Sequence, residues 1–151
     1  MRFGYRVKMA QLLQADTIRK VYSIVLTDTQ LGAIFGRIIS YLNARAEDCG
    51  FDYDVHSIFS DTPAAALARL DGTTQIAFVD AYYDRNHETG IYFSRAAKER
   101  TPGIKTVGLK GRSPRTEGHS FDSEISYLDT TSSTILRELK RHGLAPHDFV
   151  V

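Results

Sequence analysis

Residues 75–84 read QIAFVDAYYD, and this stretch decides the fold. Ile76, Ala77, Phe78 and Val79 form an apolar run without polar alternation, which is typical of a strand covered on both faces in a parallel sheet. The run ends at a carboxylate, Asp80. Open α/β sheets place their functional groups at the carboxyl ends of the strands, so Asp80 is the first candidate site residue.

On both sides of this strand, segments with strand-like and helix-like periodicity alternate along the chain. Strands are predicted at residues 21–27, 53–59, 104–109 and 125–128, and helices at residues 31–42, 64–70, 90–97 and 134–142. Gly90 is predicted to open the third of these helices and Gly143 to close the last. The alternation predicts right-handed crossovers and a parallel sheet, in a doubly wound α/β sandwich of three layers.

Composition and charge limit the function classes. The chain has 151 residues, enough for one domain, and its 19 basic and 18 acidic side chains leave a net charge of +1. This balance gives no support for binding to nucleic acid or to a membrane surface. The single Cys49 excludes an intramolecular disulfide. Because we recognise neither a signal peptide nor a membrane span, we expect a cytoplasmic protein.

We divide the chain into an N-terminal helical arm at residues 1–20, a domain at residues 21–144 and a tail at residues 145–151. Apolar positions such as Val7, Leu12 and Ile18 suggest a short helix in the arm. Three alternatives stay open for this segment: docking on the domain, self-association of two subunits, and disorder.

The order of these motifs resembles the receiver domains of bacterial response regulators, over roughly residues 22–144. The resemblance implies a flavodoxin-like (CheY-like) fold, with a five-stranded parallel sheet of order 2-1-3-4-5. It also implies a signalling role in a two-component phosphorelay, without enzymatic activity. The partners implied are proteins, either a sensor kinase or a downstream regulator.

Several site residues follow from the resemblance. Asp80 matches the aspartate that accepts the phosphoryl group, and Tyr82 matches the residue whose backbone carbonyl completes the Mg²⁺ shell. Asp28 matches one acid of the family's metal-binding pair, whether that pair is aligned with Thr27-Asp28 or with Asp28-Thr29. Only one carboxylate remains in either alignment. Mg²⁺ is the one cofactor implied, and only if phosphorylation is retained.

Two positions depart from the family in charge. Asp129 stands where the family has a lysine, and Lys110 stands where it has a hydroxyl residue. A phosphoryl group on Asp80 would therefore meet an anion in place of the usual cation. We accordingly expect a pseudo-receiver that acts through protein contacts, with phosphorylation lost or replaced by another input. The alternative is a working phospho-acceptor in which Lys110 supplies the missing cation.

Other interpretations of the same residues stay open. Asp80 also suits a structural role, in which it caps the next turn or pairs with Lys110. Asp28 suits another, since an aspartate before a helix is a routine N-cap. Residues 110–115, with their glycine and arginines, are a candidate anion site in a flavodoxin-like binder of small molecules. Three side chains in one polar loop are candidate metal ligands, namely Asp84, His87 and Glu88.

Overall fold

The computed structural model describes residues 19–27, 29–46, 51–59, 63–80, 87–110 and 121–150. The strands are β1 (Arg19–Thr27), β2 (Phe51–Phe59), β3 (Thr74–Asp80), β4 (Lys105–Lys110) and β5 (Ser123–Ser126). The helices are α1 (Thr29–Ala46), α2 (Pro63–Arg69), α3 (His87–Arg100) and α4 (Ser132–Arg141), and a short 3₁₀ turn covers Tyr127–Asp129. The helix predicted in the N-terminal arm lies outside the described residues, which begin at position 19.

The strands of the described chain form one parallel sheet in the order β2-β1-β3-β4-β5. Parallel neighbours require crossover connections, and α1, α2 and α3 each lie between two consecutive strands of this sheet. The predicted α/β class with a parallel sheet is confirmed.

The central strand, β3, is buried on both faces. Its apolar run from Ile76 to Val79 has no exposed surface. Because side chains alternate along a strand, Ile76 and Phe78 enter one core cluster with α1 and α4, whereas Ala77 and Val79 enter a second with α2 and α3. The Phe78 ring packs on Phe35 of α1, with 5.0 Å between centroids. Truncating a phenylalanine buried in this way costs about 3–5 kcal/mol.

The last helix is closed at both ends by its own sequence. At its start Thr131 and Thr134 form a reciprocal capping box. At its end Gly143 adopts a left-handed conformation, with φ of 73°, and donates its N–H to the carbonyl of Lys140 at 3.0 Å. The next N–H, from Leu144, reaches the carbonyl of Leu139 at 2.7 Å. The prediction that Gly143 ends this helix is confirmed.

Several predicted boundaries differ from the structure, and two of these differences have a local cause. The third helix begins at His87, so Gly90 lies inside its first turn, where burial overrides the low helix propensity of glycine. The fifth strand ends at Ser126 and does not continue to residue 128. The Ser126 hydroxyl accepts the N–H of Leu128 at 3.2 Å, and the Ser126 carbonyl accepts the hydroxyl of Thr130 at 3.2 Å. These local bonds replace the ladder that a longer strand would need.

Gly108 gives a direct test of packing between β4 and the segment before β5. A Cβ added to Gly108 would lie 2.7 Å from Cδ2 and 2.9 Å from Cγ of Phe121. We expect Gly108→Ala to lower the free energy of unfolding by about 1–3 kcal/mol, because the ring must be displaced. The measurement is the midpoint of urea unfolding, monitored by circular dichroism.

Gly36→Ala is the matched control for this substitution. Gly36 lies inside α1, and apart from its chain neighbours and the adjacent helix backbone no atom of the described residues lies within 4 Å of the Cβ that alanine would add. Here the substitution is expected to raise stability by about 0.5–1 kcal/mol through helix propensity. A Gly108→Ala protein as stable as the parent would contradict the close approach of Phe121.

Candidate functional site

The carboxyl edge of the sheet carries the polar residues singled out in the sequence. β3 ends at Asp80, which pairs in register with Leu109 of β4. β4 ends one residue later at Lys110, opposite Ser126 at the end of β5. Neighbouring parallel strands therefore bring the ends of β3, β4 and β5 to one edge.

Asp80 is the buried acid of this edge, with 7% of its surface exposed. By strand alternation it has the same parity as Ile76 and Phe78, so it belongs to the face of the sheet that packs against α1 and α4. A carboxylate in such a place is costly unless it interacts with polar or charged groups. An aspartate buried here therefore needs an interaction that offsets the cost of its burial.

Lys110 has an acidic partner within the sheet. Its ammonium forms an ion pair with the carboxylate of Glu124 on β5, and both side chains are about 30% exposed. Gly108 is the register partner of Glu124, so the pair is a diagonal contact between strands. Lys110 has the opposite parity to Leu109, and therefore to Asp80. The lysine predicted as a stand-in cation thus belongs to the other face of the sheet and is held by a glutamate.

Asp129 ends the 3₁₀ turn that follows β5, and its side chain is exposed. Its backbone carbonyl accepts the Thr134 hydroxyl and, at 2.9 Å, the N–H of Thr131. The backbone of this residue thereby helps to start α4. Two strand spacings separate β3 from β5, about 10 Å, so the sheet alone does not bring Asp129 into contact with Asp80.

The remaining predicted site residues lie outside what the structure describes. These are Asp28, Tyr82 and Asp84, the side chains of His87 and Glu88, and residues 111–115 of the glycine-rich loop. Of the predicted Mg²⁺ ligands only Asp80 is described, and its hard oxygen donor suits that ion. Among the described residues no group of three or more histidine, cysteine, aspartate or glutamate side chains could hold a metal.

A buried polar cluster on the same face was missed by the sequence analysis. The Ser123 hydroxyl donates to Glu138 Oε2 at 2.5 Å and lies 3.0 Å from His142 Nε2. Glu138 is 1% exposed, and Arg141 approaches its other oxygen at 3.4 Å. The available signal was spacing: Glu138 and His142 lie three and seven positions after the buried Ile135, on the apolar side of α4.

This cluster does not have the geometry of a catalytic triad. Glu138 Oε2 lies 3.6 Å from His142 Nε2, the same ring nitrogen that contacts Ser123. In a triad the acid orients the histidine through the opposite nitrogen. Here the glutamate accepts directly from the serine, so the arrangement satisfies a buried charge and joins β5 to α4.

A second ion pair joins α3 to the chain entering β5. Asp122 Oδ2 lies 2.7 Å from Lys98 Nζ and accepts the N–H of Thr106 at 2.8 Å. Burial raises the pKa of Asp122, but the bonds from Lys98 and Thr106 outweigh it, and the net pKa is below its ordinary value. The contact fastens the chain that enters β5 to α3 and β4.

Comparison with known proteins adds no assignment. No model of a known protein family matches the chain, and no curated protein is similar to it in sequence. Among the described helices, none is both long and apolar enough to cross a bilayer.

His142 predicts how stability depends on pH. Its imidazole is 8% exposed, and burial lowers the pKa of His142 below the ordinary value of 6.5, against the attraction of Glu138 and Asp122. The unfolded chain therefore binds the proton more readily than the folded chain. This contribution to stability is fully present above the unfolded pKa and is lost as the pH falls below about 6.5. We expect urea midpoints to decrease between about pH 7 and pH 5.

The His142→Gln variant should show a weaker decrease over this window, since it removes the titrating group. His147→Gln is the matched control, because His147 is exposed and should leave the pH dependence intact. Equal pH profiles for the two variants would show that the His142 ring does not set this dependence. Asp122 acts at lower pH, where its carboxylate becomes protonated and the bonds from Lys98 and Thr106 weaken.

Proposed function

We propose that this chain is a receiver-like signalling domain of flavodoxin-like fold, which acts through contacts with a protein partner and not as an enzyme. The parallel sheet with β3 at its centre supports this proposal, as does the buried Asp80 at the carboxyl end of β3. The pairing of Lys110 with Glu124, on the other face of the sheet, favours a pseudo-receiver, in which phosphorylation is lost or replaced by another input.

The observation that carries the proposal is the ion pair of Lys110 with Glu124. A phosphoryl group on an aspartate adds negative charge, which a fixed cation must offset. The Lys110 ammonium is paired with Glu124, and the residue after β5 that would otherwise provide a cation is Asp129. Two like charges about 10 Å apart, the width of two strand spacings, repel by roughly 1–2 kcal/mol at an effective dielectric constant near 20, and by less in salt. An anion in place of the family's lysine therefore opposes the modified state modestly.

The alternative function, a working phospho-acceptor, makes a different demand on the same residues. Lys110 would have to leave Glu124 and approach Asp80 from the other face of the sheet. Its long and flexible stem makes the movement feasible, but the ion pair with Glu124 opposes it. The partner in either case is a protein, a sensor kinase or a downstream regulator, or a second copy of this chain.

Acetyl phosphate with Mg²⁺ separates these two functions. In the reaction an Asp80 oxygen forms a bond to phosphorus, the bond from phosphorus to the acetate oxygen breaks, and acetate leaves with the electron pair. We expect no phosphoryl adduct on the parent chain by intact mass spectrometry. An adduct that disappears in Asp80→Asn would overturn the pseudo-receiver and favour the phospho-acceptor.

Restoring the cation tests the physical reason. Asp129→Lys replaces the anion after β5 with the residue type of the receiver family, and we expect an Asp80-dependent adduct to become detectable in this variant. Asp148→Lys makes the same charge change at an exposed position in the C-terminal segment and should have no such effect. If both lysine variants gain adduct equally, overall charge and not the local cation is responsible.

A further inference from the structure

A groove lies between α4 and the segment that follows it. Its volume is about 280 Å³, and the lining residues are Ser133, Leu136, Arg137, Lys140, Phe149 and Val150. We call it the α4 groove. It lies outside the Asp80 edge, and nothing in the proposed chemistry of Asp80 uses it.

The groove exists because the chain folds back after α4. The left-handed turn at Gly143 redirects the backbone, and a second turn, with the N–H of Phe149 donating to the carbonyl of Pro146 at 3.1 Å, brings the chain against the helix. Leu136 and Phe149 are 4% and 5% exposed and provide an apolar floor. Val150 is 71% exposed beside them.

Positive charge borders this apolar floor. Arg137 and Lys140 are three residues apart on α4 and therefore project on one side of the helix. Within the described part of the chain neither of them forms an ion pair, whereas the adjacent Arg141 is directed to Glu138. The groove thus combines a small apolar surface with two cations and the hydroxyl of Ser133.

Size and charge identify the kind of occupant. Pockets for drug-sized ligands and cofactors have volumes of about 300–1,000 Å³, so this groove is better suited to one or two anchoring side chains. The cations select carboxylates beside those anchors. The N-terminal arm of the chain does not match, because residues 1–18 contain Arg2, Arg6 and Lys8 but only one acid, Asp16.

We propose that the α4 groove binds a segment of a protein partner in which apolar side chains are flanked by carboxylates. The apolar anchor lies over Leu136 and Phe149 beside Val150, and the carboxylates pair with Arg137 and Lys140. This inference extends the proposed role in protein contacts, but it rests on residues that are separate from Asp80.

The test uses a short synthetic peptide in which leucine and phenylalanine are flanked by glutamate and aspartate. Added to the full ¹⁵N-labelled chain, it should shift amide resonances around residues 133–140 and 149–150. We expect Arg137→Glu to weaken binding at least about tenfold, because a like charge then faces the peptide carboxylates. Added salt should weaken binding to the parent chain as well.

Arg95→Glu is the matched control, since Arg95 is an exposed arginine on α3 and the charge change is the same. It should bind the peptide like the parent chain. A peptide with lysine in place of each acid tests the sign of the charge, and one with alanine in place of the apolar pair tests the floor. Equal loss in Arg95→Glu and Arg137→Glu, binding of the lysine peptide, or absence of shifts around α4 would overturn the proposal.

The two proposals fail separately. Formation of an Asp80 phosphoryl adduct would remove the pseudo-receiver and leave the peptide result unchanged. Failure of the peptide to bind the parent chain would remove the groove as a docking site and leave the Asp80 chemistry unaffected.

Discussion

Burial of β3 on both faces is the constraint on which the rest of the domain depends. Four consecutive residues, 76–79, lose all their exposed surface, and no single layer of helices can achieve that. The alternation of side chains sends Phe78 to one core and Val79 to the other, so helices are required on both sides of the sheet. The parallel arrangement and the crossovers follow from that demand. Asp80, the last residue of this strand, is buried with it.

The chemistry of the carboxyl edge depends on which charged side chains pair with each other. Lys110 is one residue beyond the partner of Asp80, yet alternation assigns it to the opposite face, where Glu124 holds it. The backbone carbonyl of Asp129 accepts a hydrogen bond at the start of α4. The edge thus contains a buried carboxylate, while the lysine at the end of β4 is paired on the opposite face.

The sequence predicts what depends on local pattern. The apolar run before Asp80, the periodicity of α1 and the closing glycine at position 143 act over a few residues, and each is visible as such. The ion pair of Lys110 with Glu124 spans the whole connection between two strands, and the bond from Ser123 to Glu138 joins a strand to a helix. The ion pair cannot be read from spacing, because it depends on the register of β4 with β5. For the bond to Glu138, spacing indicates the buried acid but not its partner Ser123.

The end of β5 is another feature that the sequence pattern does not predict, although the contacts involved are local. Residues 125–128 are compatible with a strand, but the hydroxyl of Ser126 competes for the backbone and the chain turns. The α4 groove depends on the return of the last residues over the helix, which no periodicity encodes. Conversely, the acid at position 138 on the apolar side of α4 was a readable sign of a buried polar contact.

The bond between Ser123 and Glu138 has a mechanical consequence. A carboxylate that is 1% exposed cannot exchange its partner for water while the core stays closed, so α4 is clamped to β5. The clamp and the cations of the groove occupy the same three turns of one helix. Arg137 and Lys140 therefore lie on a helix that is bonded through its buried side to the edge strand of the sheet.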